Sequence, residues 1–138
     1  MKFHEFINKY LNTKVDYDGV FGAQCVDLFR QCCKDVWGIP HTGGVDGAKD
    51  LWHNYSKLPG EVKYFDRVTS VSRFKYGDAV IWDATSGNRY GHVALFICKV
   101  ASDSILVIEQ NGFAQDGTKL SVRSTKNVLG ALRLKGSN

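Results

Sequence analysis

Apolar residues in this chain recur at helical spacing as far as Pro59-Gly60 and at strand spacing beyond it, so one chain carries two kinds of secondary structure in two blocks. Phe3, Phe6, Ile7, Tyr10 and Leu11 predict a short amphipathic helix ending near Asn12. Leu28, Phe29, Cys32 and Val36, with Cys33 beside them, predict a second helix from Cys25 to about Trp37, stopped by Gly38 and Pro40. Ala48, Leu51, Trp52 and Tyr55 predict a third over Asp46 to Tyr55, ended by Pro59-Gly60. Strands are then expected at Val62 to Phe65, Val68 to Val71, Ala79 to Trp82, His92 to Val100, Ser104 to Glu109, Leu120 to Arg123 and Leu129 to Leu134. Turn-like links at Ser86-Gly87-Asn88 and Ala101-Ser102-Asp103 make neighbouring strands antiparallel. The expected class is α+β, with helices packed on one face of an antiparallel sheet.

With 138 residues, 43% of them apolar and 12% aromatic, the chain has material for one core, and one domain is expected over residues 1–138. No apolar run is long enough to span a membrane. Lys2, His4 and Glu5 interrupt what would have to be the apolar stretch of a signal peptide, so export by that route is not expected. Of the four cysteines, Cys32 and Cys33 are adjacent and share a predicted helix with Cys25, a poor framework for disulfides and the wrong spacing for zinc; thiols are expected. A net charge of +4 favours approach to polyanions, and charge alone does not choose between nucleic acid and a bacterial wall rich in teichoic acid.

The chemistry centres on Gly22-Ala23-Gln24-Cys25-Val26-Asp27-Leu28, where a Gly- and Asp-rich loop turns into a helix whose first residue is a cysteine. A helix N-terminus offers unpartnered N–H groups and partial positive charge, which favour a thiolate. A lone cysteine is also a common core residue, so the reading needs partners. An imidazole must take the thiol proton and a third group must orient the ring. His4, His41 and His53 lie in polar settings and are expected to be solvated, whereas His92 opens the apolar strand Gly91-His92-Val93-Ala94-Leu95. The next strand ends in Glu109-Gln110-Asn111, and Glu109 or Asn111 can reach the ring if both strand ends share a rim.

Gln24-Cys25-x-Asp27 at a helix start, then Gly77-Asp78-Ala79-Val80, Gly91-His92-Val93-Ala94 and Glu109-Gln110-Asn111 on successive strands resemble the CHAP family, the cysteine- and histidine-dependent amidohydrolases/peptidases of phage endolysins and bacterial autolysins. The resemblance runs from about Asp16 to Leu134. It implies a papain-like α+β fold with Cys25 as nucleophile, His92 as base and Glu109 as the orienting residue. Asn111 and Gln24 are implied as supporting groups, Gln24 near the oxyanion. The implied reaction is hydrolysis of bacterial peptidoglycan through a thioester, either as an N-acetylmuramoyl-L-alanine amidase or as an endopeptidase, with family analogy leaning to the latter.

Asp16 and Asp18 precede Cys25 and Asp27 follows it, in the pattern D-x-D-G-x-x-G-x-Q-C-x-D. With the carbonyls of Val20 and Gly22, these carboxylates make a set of hard oxygen ligands for Ca²⁺, similar to the calcium loop of some CHAP endolysins. Equally, Asp16 and Asp18 read as turn residues and Asp27 as a first-turn carboxylate favoured by the helix dipole. Trp52, Trp82, Tyr90 and Phe113 are candidates for a substrate groove or for the core, and Lys119, Arg123, Lys126, Arg133 and Lys135 for a solvated basic face. The expected whole is a monomeric phage lytic module, acting on peptidoglycan rather than on nucleic acid or membrane. It would be made in the host cytoplasm and reach the wall after release, or be applied from outside, and Lys135 to Asn138 could begin a linker to a wall-binding domain. The rival is a non-catalytic wall-binding or virion structural module.

Overall fold

The computed structural model describes residues 1–19, 24–40, 42–111 and 116–136. Helix α1 (Phe3–Tyr10) buries Phe3 and Phe6, and α2 (Cys25–Trp37) buries Leu28, Phe29, Cys32 and Cys33. Both follow the predicted periodicity. Helix α2 begins where Asp27 Oδ2 accepts the Gln24 N–H at 2.9 Å, and it ends in a left-handed Gly38, whose N–H reaches Lys34 O while Ile39 N–H reaches Cys33 O. Two short helices follow, α3 (Asp50–His53) and α4 (Pro59–Tyr64), with a 3₁₀ turn at Tyr55–Lys57 between them.

The stretch between α2 and the sheet differs from expectation. The third helix is shorter than predicted because Gly47 presses against the Tyr90 main chain, with Lys49 N–H bonded to Tyr90 O, and residues 46–49 are held in turns. Pro59-Gly60 begins α4 instead of ending a helix, since proline at the first helical position gives up an N–H that would have had no partner there. Val62 therefore lies in a helix. The first strand is β1 (Phe65–Val68), and Val71–Arg73 form a 3₁₀ turn.

From there the strands match the sequence pattern: β2 (Ala79–Trp82), β3 (His92–Ala101), β4 (Ser104–Gln110), β5 (Thr118–Ser124) and β6 (Val128–Leu134). They make a six-stranded antiparallel sheet in the order β1-β6-β2-β3-β4-β5. Phe6, Leu28, Phe29, Leu51, Ile81, Leu95, Ile108 and Leu132 form the core between the helices and one sheet face. On the other face Val80, Ala94, Phe96, Val107 and Ala131 pack with Phe74 and Val71. Covering on both sides explains why β2 and the start of β3 are apolar without alternation. Asp78 ties the sheet to its flank, accepting from Arg133 Nε and Nη2 at 3.0 and 2.7 Å and from Lys75 N–H at 2.8 Å. Among the described residues no helix is long and apolar enough to cross a membrane.

Candidate active site

Cys25 stands at the N-terminus of α2, half-buried, on the wall of an open cleft of about 500 Å³. His92 enters the cleft from the first position of β3 and is only 6% exposed. The Cys25 side chain adjoins the His92 ring on the cleft, and His92 Nε2 lies 2.9 Å from Glu109 Oε1 at the end of β4. Glu109 is fully buried. Thiol, imidazole and carboxylate, drawn from three elements far apart in sequence, thus form one line.

Two residues that the sequence did not single out for this role complete it. Arg123 on β5 donates from Nε to Glu109 Oε1 and from Nη2 to Oε2, the latter at 3.4 Å. Its guanidinium also lies 5.5 Å above the Trp82 ring, and that ring is 5.7 Å from the His92 ring. Trp82 is itself fixed by an indole N–H bond to Ser124 O at 3.0 Å. The expectation that Arg123 and Arg133 belong to a solvated basic face is therefore corrected: each is paired with a buried carboxylate. The available signal was parity, since Arg123 pairs with Ile105 in the β4–β5 register and so shares a sheet face with Glu109.

These contacts set the charges. Burial pulls the His92 imidazolium down, but the bonds to Cys25 and Glu109 outweigh it and hold the ring above its ordinary range, with the Arg123 charge in weak opposition. Burial likewise pushes the Glu109 carboxyl up, and the His92 and Arg123 bonds overcome it and bring the group down to about 2. Glu109 stays ionised and His92 is predisposed to hold a proton beside the thiol. Cys32 and Cys33 are buried core thiols, Cys33 pushed up to about 12 by burial, and Cys98 is exposed.

The remaining candidates fall in three groups. Asn111 lines the cleft with a φ of 55°; its Oδ1 accepts the Gly117 N–H at 3.1 Å, and it is Glu109 that bonds the His92 ring. Gln24 is exposed on the cleft beside Cys25. Tyr90 is exposed on the same cleft, Trp82 is buried against His92, and Trp52 packs over Gly130 and Arg67, away from the site. His4 and His53 are solvent-exposed as expected, His53 pairing with Asp83 at 2.9 Å. His41, Phe113, Val20 and Gly22 lie outside the described residues.

Asp16, Asp18 and Asp27 do converge, with carboxylate oxygens all within 4.8 Å of one another. Burial, then the charges of Asp18 and Asp16, push the Asp27 carboxyl up to about 6 against the Gln24 N–H that lowers it. Three carboxylates crowded this closely fit a hard divalent ion in donor type and in charge.

The family model for the CHAP domain matches residues 14–111, which include Asp16, Asp18, Cys25, Asp27, His92 and Glu109 but not Arg123. The chain is 32% identical over 97 residues to the D-alanyl-L-alanine endopeptidase of Streptococcus phage B30, covering 68% of this chain and 21% of that protein. It is 32% identical over 95 residues to endolysin PlyTW of Staphylococcus phage Twort, covering 65% and 18%. The chain thus spans about a fifth of the length of these curated relatives. Its fold resembles the crystal structure of the endolysin LysIME-EF1, with a TM-score of 0.68 at 20% identity over 96% of this chain and 64% of that one. It also resembles Ly7917 solved with the hydrolyzing product of MDP, with a TM-score of 0.62 at 22% identity over 95% and 61%. On the family match and the fold together, the chain belongs to the CHAP domain family.

Proposed function

We propose that this chain, as a single catalytic domain, hydrolyses an amide bond of bacterial peptidoglycan, with Cys25 as nucleophile, His92 as general acid–base and Glu109 as the residue that orients the ring. The observation that carries the reading is the Cys25–His92–Glu109 line, with half-buried Cys25 opening onto a cleft at a helix N-terminus and His92 and Glu109 buried behind it. Glu109 holds Nε2, which leaves Nδ1 to face the thiol. The Cys25 thiolate attacks the carbonyl carbon, and the oxyanion is met by donors at the start of α2, with the Gln24 side chain at hand. His92 passes its proton to the nitrogen as the C–N bond breaks, so the amine leaves and a thioester remains. Water then attacks the thioester, His92 takes its proton, and the thiolate returns.

Asp16, Asp18 and Asp27 would hold a Ca²⁺ ion, whose charge offsets theirs and braces the segment that leads into Cys25. The name of the streptococcal phage relative supports an endopeptidase over an amidase. Mass spectrometry of soluble fragments released from purified Gram-positive peptidoglycan, with calcium present, tests the proposal. Wild type is expected to create new amino and carboxyl ends and Cys25→Ala none, which names the bond as well. No fragments from folded wild type over several wall types would favour a binding module, and equal release by both proteins would remove Cys25 from the centre.

A further inference from the structure

The hydrogen bonds of one fully buried amide lead to a group that the proposed mechanism does not use. Gln110, the last residue of β4, is 0% exposed. Its Nε2 donates to Val15 O and to Gln24 O, both at 2.7 Å. Its Oε1 accepts Val15 N–H at 2.6 Å and Thr118 Oγ1–H at 3.0 Å. Both donors and both lone pairs are used, so the side chain has no unfilled valence. Its orientation is forced, because turning the amide over would set N–H against the Val15 N–H and oxygen against the Val15 carbonyl.

Resting on the catalytic reading above, we propose that Gln110 is a positioning residue of this site, a clasp that closes both ends of the acidic segment and fixes the direction of the Cys25 main-chain N–H. Val15 immediately precedes Asp16 and Gln24 immediately precedes Cys25, so one side chain is bonded to the main chain on either side of residues 16–23. The Gln24 carbonyl shares its peptide plane with the Cys25 N–H. That carbonyl accepts from Asp27 N–H at 3.1 Å as well as from Gln110, which leaves the plane no freedom to turn. A trans planar peptide sets N–H opposite to C=O, so the Cys25 N–H is aimed off the helix N-terminus, where an oxyanion on the cleft side would meet it. The two last residues of β4 thereby divide the work. Glu109 holds the ring of His92 and Gln110 holds the backbone of Cys25, and adjacent residues of a strand point to opposite faces. A carboxylate could not replace the amide, because it would turn acceptors toward the Val15 and Gln24 carbonyls.

The test uses the full chain with Cys98→Ser, which removes the exposed competing thiol. Alkylation of Cys25 by iodoacetamide is followed against pH, together with kcat and KM for wall hydrolysis, in the parent, Gln110→Glu, Gln110→Met and the control Ile105→Val. Ile105→Val loosens core packing elsewhere on β4 and is expected to lower the melting temperature without moving Cys25 reactivity. Both Gln110 variants are expected to lose thiolate reactivity at a pH of about 6 by roughly tenfold or more, and kcat by roughly a hundredfold with little change in KM. Folded Gln110 variants that keep both within about twofold of the parent overturn the clasp. If neither variant folds, hydrogen exchange in the parent decides. A Val15 amide as protected as that of Ile108 supports the clasp, and one as free as that of exposed Lys14 overturns it. A parent whose Cys25 reacts only as an ordinary thiol overturns the catalytic reading itself, a different failure from that of the clasp.

Discussion

A carboxylate removed from water keeps its charge only when donors replace the lost hydration, and Glu109 has them from two strands: His92 on β3 and Arg123 on β5. The folded group titrates at about 2 against an ordinary 4.5, so its stabilising contribution is complete above 4.5 and is lost as pH falls from there toward 2. The window corresponds to about 3 kcal/mol in order of magnitude. His92 has the opposite sign, because its folded value is raised: its contribution is complete below the unfolded value and is lost as pH rises through the folded one. Glu109→Gln is expected to flatten the acid limb of stability, read as the urea midpoint against pH. The same change removes the anion that favours the imidazolium, so the alkaline limb of kcat should move to lower pH and kcat itself should fall. An acid limb as steep as wild type would mean that another carboxylate carries it.

Among the elements, the turn from β2 into β3 shows how backbone geometry places a side chain. Gly91 has φ of 72°, and a Cβ there would meet Trp82 O at 2.5 Å and Lys49 Cβ at 2.9 Å. Gly91→Ala is therefore expected to cost about 1–3 kcal/mol in stability and to displace His92, the next residue. Wall hydrolysis at a temperature where the variant is fully folded separates the two effects, and the expected loss of activity persists there. Element by element, the sequence was readable where the signal was local. The Asp27 cap and Gly38 fix both ends of α2, and the apolar runs fix β2 to β4. Pro59 was misread because proline suits the first turn of a helix as well as the position after its end.

For the molecule as a whole, the part of the site that escaped sequence reasoning is the part made by long-range pairing. Cys25, His92 and Glu109 carry reactive side chains and stand at element ends, so type and position advertise them. Gln110 and Arg123 are ordinary residues whose partners are set by the order of the sheet; Gln110 reaches 95 residues back to Val15 and 86 back to Gln24. Through these bonds the three aspartates, Cys25 and the end of β4 form one connected body, and occupancy by a cation should be felt beyond the acidic segment. Ca²⁺ at about a hundred times its dissociation constant should stabilise the fold by about 2.7 kcal/mol, seen as a rise in melting temperature that EDTA reverses. Asp16→Asn with Asp18→Asn should abolish the rise, since two of the three carboxylates are gone. The coupling makes a further demand: with the cation bound, exchange of the Val15 amide should slow along with the global melt, because Gln110 ties that residue to the sheet. A melting temperature indifferent to Ca²⁺ in wild type would leave Asp16 and Asp18 as turn residues and Asp27 as a helix cap.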